Sequence, residues 1–178
     1  MKNENTIWAN IIDAVNSGLV ENGVTGFEVQ QGSQPSKVSI DSPTIWIDRI
    51  SSKRYGKQSR TPDIESDVLI ERKSSYQEIM FQLTGRKIRS LSDDVNTQTA
   101  TDALNLLVNY FNGQEGIDKL STLDMNCLHV TDVRTPSSIS DSDLYERDPS
   151  FDITITLIQS STRALPAVDN ATFEIEKV

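Results

Sequence analysis

Apolar residues recur along this chain in two periods, and each change of period marks an element. Ile7, Trp8, Ile11, Ile12, Val15 and Leu19 return at three- and four-residue steps. That spacing gathers them on one stripe of a helix, with Gly23 just beyond as its stop. Residues 27–30 predict a short strand, and a Gly/Ser/Pro loop follows over 31–37. Residues 44–50 then alternate with β-branched side chains, which places Ile45 and Ile47 on one face of a strand. Pro43 opens it, where a missing backbone donor does little harm.

The next stretch, 51–60, carries Lys53, Arg54, Lys57 and Arg60 around Tyr55 and Gly56, and predicts a polar, basic loop. Residues 68–88 predict one or two extended strands, with Val68 and Ile70 alternating first and Ile79, Phe81 and Leu83 later. Between them the polar residues 72–75 predict an exposed portion or a bend, and Gly85 a bulge or a close backbone approach. Residues 99–112 give the best helix. Thr99 can cap it, Asp102 suits the positive end of the dipole, and Gly113 ends it. Its stripe is Ala103, Leu104, Leu107, Val108 and Phe111, and a short second helix is expected over 116–123.

Two strands complete the pattern. Over 126–135, Leu128, Val130 and Asp132 alternate with Cys127, His129 and Thr131. Over 150–159, Phe151, Ile153, Ile155 and Leu157 face one way, and Asp152, Thr154 and Thr156 the other. An acidic loop holding Asp141, Asp143, Glu146 and Asp148 separates the two. The expected class is α+β, a largely antiparallel sheet with an N-terminal and a central helix packed on one side. Residues 1–159 are expected to form a single domain. Residues 160–178 form a polar C-terminal arm in which 172–176 alternate like a strand; we expect it to order on assembly by adding to a neighbour.

Composition changes this picture in a few places. A chain of 178 residues can bury one core without staples. Its net charge of −9 argues against a dedicated nucleic-acid binder, which would cluster Lys and Arg to neutralise phosphates. Cys127 is the only cysteine and His129 the only histidine, so neither an internal disulfide nor a zinc site of soft ligands can form; both read as strand residues. No apolar run approaches the roughly 18 residues of a membrane span. Asn10, Asp13, Asn16 and Ser17 interrupt the first apolar stretch, so no signal-peptide core is expected.

Candidate chemistry is sparse. Glu71-Arg-Lys73, with Asp63, Glu65 and Asp67 upstream, has the acidic-x-lysine form in which carboxylates hold Mg²⁺ and a lysine steadies developing charge during nuclease cleavage. Such short matches are common in charged chains, and the upstream acids are expected in a turn rather than on a paired strand. A Ser-His-Asp triad would rest wholly on His129 inside a strand. The eight glycines are scattered singly, so no phosphate loop exists. No catalytic, metal or cofactor residues are expected, and the chain reads as a non-enzyme.

Three stretches carry more than secondary structure: Ile47-Asp-Arg-Ile-Ser-Ser-Lys-Arg-Tyr-Gly56, Val130-Thr-Asp-Val-Arg-Thr-Pro136 and Asp148-Pro-Ser-Phe-Asp-Ile-Thr-Ile-Thr156. In this order, after an amphipathic helix with a tryptophan, they resemble the neck or tail-terminator family of tailed bacteriophages and prophages. The resemblance spreads over roughly residues 5–160 and departs from the family pattern after Gly56, where Lys57-Gln-Ser-Arg60 replaces a bulkier residue. It implies a structural virion protein, assembled in the host bacterial cytoplasm into a ring, commonly a hexamer. Such a ring sits at the head-proximal end of the tail, ends tail-tube polymerisation and joins the tail to the head connector. The implied partners are further copies of itself, the tail-tube protein, a head-completion or connector protein, and sheath, with DNA only as cargo passing through the channel. A tail-tube subunit or head-completion adaptor would suit the same composition; a terminator differs in needing one face that refuses further tube.

The candidate subunit or partner contacts are Arg49, Lys53, Arg54, Tyr55, Arg60, Asp132 and Arg134. Arginine suits such a place because its planar fork holds carboxylates bidentately. The plainer reading is a solvated strand end and turn. Asp132 and Arg134 stand two apart on an expected strand, hence on one face, as a surface pair or across a boundary. Six copies at −9 would carry about −54, which favours basic residues at subunit contacts and an acidic or neutral channel wall.

Overall fold

A computed structural model of the chain describes residues 3–32, 42–65, 68–87, 97–135, 137–139 and 145–165. The first apolar stripe forms α1 (Glu4–Glu21), whose Asn3 cap accepts a hydrogen bond from the Thr6 backbone N–H at 2.8 Å. Ile7, Trp8, Ile11, Val15 and Leu19 are buried along it, and the chain leaves through Gly23 at φ 67°. α2 (Ala100–Asn112) begins with a full capping box. Thr99 Oγ1 accepts from the Asp102 N–H, and Asp102 Oδ2 accepts from the Thr99 N–H. Gly113 closes α2 and starts α3 (Gln114–Thr122).

The strands are β1 (Glu28–Gln31), β2 (Thr44–Glu65), β3 (Val68–Arg86), β4 (Asn126–Val130), β5 (Ser137–Ile139), β6 (Tyr145–Arg147) and β7 (Ser150–Ala164). They form a five-stranded sheet in the order β1-β2-β3-β7-β4, and β5 and β6 form a separate hairpin. β1 runs parallel to β2; every other pairing is antiparallel. The class is the expected α+β.

Register explains where the core sits. Ile47 stands opposite Leu83, and Leu83 opposite Phe151; Phe81 stands opposite Ile153, and Ile79 opposite Ile155. These side chains are fully buried on one sheet face, in a single cluster with the apolar stripes of α1 and α2. Each contributes about 1.5–3 kcal/mol relative to exposure. Trp8 meets Phe81 edge-on, with ring centroids 5.2 Å apart. A Cβ on Gly85 would stand 3.3 Å from Ala100 and Leu104, so its lack of a side chain lets α2 sit down on the sheet. The opposite face, with Trp46, Met80, Gln82 and Thr84, lacks this packing and is half-buried.

Four expectations need correction. Residues 51–60 form no loop: they continue β2, with register shifts between Arg49 and Ser51 and between Tyr55 and Ser59. Charged side chains are compatible with an outer strand because they and the unpaired backbone groups both reach water. Residues 72–75 likewise run straight through β3 without a bend. In β4 a shift between Cys127 and His129 turns Leu128 outward while Val130 is buried, so these two do not share the expected face. Finally, β7 runs five residues past the strand expected over 150–159, pairing Ser160–Ala164 with Ser74–Ile70. Pro136, the loop acids Asp141 and Asp143, and the strand-like 172–176 lie outside the described residues.

Candidate assembly interface

The core ends at the row where Leu157 faces Gln77 and Gln77 faces Arg54. β2, β3 and β7 continue past it together as a three-stranded arm. From Gln77 back to Val68, β3 extends about 30 Å at the usual strand rise. At 22 and 19 residues, β2 and β3 far exceed the usual 3–10. Arg60, Thr61, Pro62 and Ser160–Ala164 are exposed. Ile70 is buried there, outside the main cluster.

Both long edges of the arm are outer edges in the described residues. β1 pairs only with Thr44–Ile47 of β2, and β4 reaches β7 only over Ile153–Thr156. The β2 edge carries Lys53, Arg54, Lys57, Arg60, Pro62 and two register shifts, all of which discourage further strand pairing. The β7 edge over 158–162 reads Ile-Gln-Ser-Ser-Thr, with neither charge nor proline.

On the sheet face away from the helices, one row of the arm is apolar. Tyr55, Tyr76 and Ile158 stand side by side across three strands and are 48%, 61% and 55% exposed. The Tyr55 hydroxyl donates to the Glu78 carboxylate, which with slight desolvation and the charge of Glu78 holds its pKa above the ordinary tyrosine value. Sequence reasoning finds Tyr55 but misses Tyr76 and Ile158. Their only signal is register, because neither belongs to a repeating apolar face.

The structure gathers some of the predicted contact residues and separates others. Lys53, Arg54, Tyr55 and Arg60 all lie on β2 within the arm. Lys53 and Arg54 form no ion pair among the described residues. Arg60 Nε lies 3.8 Å from Glu71 Oε1, and Lys73 Nζ 3.3 Å from Glu71 Oε2. Arg49 lies outside the arm, level with Phe81 of the core, and is held 3.0 Å from Glu4 of α1. Asp132 and Arg134 are remote. Arg134 bridges to Ser150, seven residues along β7 from the Leu157 row, or about 23 Å. Within the subunit Arg134 Nη2 lies 2.8 Å from Asp152 Oδ2, and Asp152 Oδ1 also accepts from Gln82.

Glu71 and Lys73, the nuclease-like pair, are thus bonded to each other. The upstream Asp63 and Glu65 sit on β2 rather than in a turn, paired with Ile70 and Val68. Among the described residues no three His, Cys, Asp or Glu side chains converge on a metal-sized site. Burial raises the pKa of the Cys127 thiol, which disfavours the reactive thiolate.

A second surface lies on α1 and α3. Val20 is 76% exposed and Ile117 is 42% exposed. The Tyr110 hydroxyl is buried without a hydrogen-bond partner among the described residues. Burial pushes its pKa up to about 12, helped by the charges of Glu21, Asp13 and Glu115, which converge on it from α1 and α3. Lys119 neutralises Asp13 at 2.8 Å.

A family model described as E217 gateway protein gp29 matches residues 6–167. No curated protein sequence matches the chain. Among solved structures, the sheath/tube terminator of an extracellular contractile injection system, PVC, in its extended state, aligns with a TM-score of 0.48 and 13% identity. That alignment covers 100% of this chain and 65% of the terminator, so the chain spans just under two thirds of that protein's length.

Proposed function

The chain belongs to the family of the E217 gateway protein gp29, among phage neck and tail-terminator proteins, and we propose that it is a ring-forming structural subunit at the head-proximal end of the tail. In this reading six copies close the ring, end tail-tube polymerisation and give the head connector a surface to dock on. Its partners are copies of itself, the tube protein, a head-completion or connector protein and sheath. DNA only passes through the channel, no catalysis is involved, and the protein resides in the virion.

The observation that carries the reading is the arm. A subunit gains little by ordering some thirty residues of strand beyond its own core, since fixing each backbone unit costs about 1–2 kcal/mol. That cost is recovered where the arm meets something else. Lys53, Arg54, Tyr55 and Arg60 are the proposed contacts there, with Arg49 further back on β2 and Asp132 and Arg134 at a separate contact. The C-terminal segment beyond β7 is proposed to order on assembly, adding 172–176 as a strand to a neighbouring component, and the uncharged β7 edge is the kind of acceptor such a strand requires.

Electron cryo-microscopy of the assembled particle tests this. The expected result is a closed ring of this chain between head and tail tube. A solitary copy, or a position away from the neck, would overturn the reading.

A further inference from the structure

The arm and the helical surface complement each other in charge and in apolar content. Residues 51–78 and 158–164 contain seven Lys or Arg and five Asp or Glu, a local charge of +2 in a chain of −9. Beyond the first turn of α1, α1 and α3 carry Asp13, Glu21, Glu115 and Asp118 against Lys119 alone. Each surface also offers exposed apolar groups: Tyr55, Tyr76 and Ile158 on the arm, Val20 and Ile117 on the helices. Aromatic and arginine side chains are the usual anchors of protein interfaces.

The two surfaces lie at opposite ends of the subunit. Glu4, at the start of α1, pairs with Arg49, which lies on β2 between the β1-paired residues 44–47 and the arm. Glu21, at the other end of the helix, is about 25 Å away at 1.5 Å per residue. α1 leads there into β1, which pairs with the opening residues of β2, remote from the arm. The arm therefore points away from the acidic end of its own subunit.

We infer that the arm of one copy docks on the acidic α1–α3 surface of the next, with the Tyr55–Tyr76–Ile158 row against Val20 and Ile117. The inference rests on the ring reading and deepens it by naming both halves of the contact. Arm-to-arm pairing would set +2 against +2, and helix-to-helix pairing would set acid against acid, so charge disfavours both two-fold arrangements. A contact between two different patches repeats head to tail, and such contacts close into rings when the rotation permits. The Tyr110 hydroxyl, buried and unpartnered among the described residues, lies near Glu21 and Glu115, the two carboxylates that Lys119 does not neutralise, and marks the site a cation from a neighbour would suit. Phosphate is a poorer occupant of the arm, because Glu71 and Glu78 lie among its cations.

The test places a photo-crosslinking residue on the arm by Tyr76→p-benzoylphenylalanine, an exposed position where folding is undisturbed. Isotopically light and heavy copies are mixed and cross-linked in assembled particles. The expected products join Tyr76 of one copy to residues 13–21 or 114–118 of another. A ring whose cross-links fall elsewhere, on another protein or on DNA, or that gives none between copies, overturns this inference and leaves the ring reading standing. Particles without a ring of this chain overturn both. As a second readout, Lys53→Glu, two residues from Tyr55 on the same sheet face, should weaken self-association at least ten-fold at low salt, and adding Glu21→Lys to the same chain should recover most of it. Unchanged association in Lys53→Glu counts against the docking.

Discussion

Gly18 of α1 lies against the ring of Tyr110 in α2, so closely that a Cβ on Gly18 would stand 2.6 Å from Tyr110 Cδ1 and 2.9 Å from Leu107 Cδ2. This glycine sets the approach of the two helices. A larger residue must push them apart or force Tyr110 off its rotamer, and overpacking of this kind costs about 1–3 kcal/mol. Gly18→Val is expected to lower the unfolding midpoint by several degrees, measured by thermal denaturation followed by circular dichroism. An unchanged midpoint would mean that α1 shifts freely on α2.

Tyr110 also predicts an alkaline signature. Its folded pKa, about 12, lies above the ordinary value of 10.0. The unfolded chain therefore ionises first as pH rises. The stabilising contribution is fully present below pH 10 and is lost as pH climbs through about 12. Tyr110→Phe should remove that loss, and should also relieve the unpartnered buried hydroxyl at neutral pH. Urea titrations of both proteins at pH 8, 10 and 11.5 provide the comparison; parallel curves would contradict it.

Stability and assembly should separate between body and arm. Phe81 is fully buried and packed on Trp8, so Phe81→Ala is expected to cost about 3–5 kcal/mol in equilibrium unfolding. Tyr76→Ala should stay within about 0.5 kcal/mol, as exposed substitutions do, while reducing incorporation into particles. A Tyr76→Ala chain that unfolds as readily as Phe81→Ala would tie the arm to the core instead.

Removing the α2 cap offers a local test. Thr99→Ala deletes the acceptor for the Asp102 N–H and should destabilise the protein by about 1 kcal/mol. Amide exchange should quicken first at the start of α2.

Glu71→Ala and Lys73→Ala bear on the nuclease-like reading. Their mutual ion pair is partly exposed, so either change should cost less than about 1 kcal/mol. Neither wild type nor variants should cut DNA in Mg²⁺. Cleavage by the wild type that both variants lose would reverse that conclusion.

Local pattern determined most of the body by itself. The stripe from Ile7 to Leu19, the Thr99–Asp102 cap and the alternation of Phe151, Ile153, Ile155 and Leu157 each specify an element and the face it buries. They do so because burial repeats with the period of the backbone that produces it. The arm has no such core, so nothing in residues 51–60 distinguishes an exposed strand from a loop; their hydrogen-bond ladder depends on a partner more than ten residues away in β3. The same holds for Arg134, whose carboxylate is Asp152 across the sheet, and for Leu128, turned outward by a register shift. The Tyr55–Tyr76–Ile158 row exists only once three distant strands are aligned. Local sequence specifies the faces that meet a core, and tertiary register decides which exposed residues become neighbours.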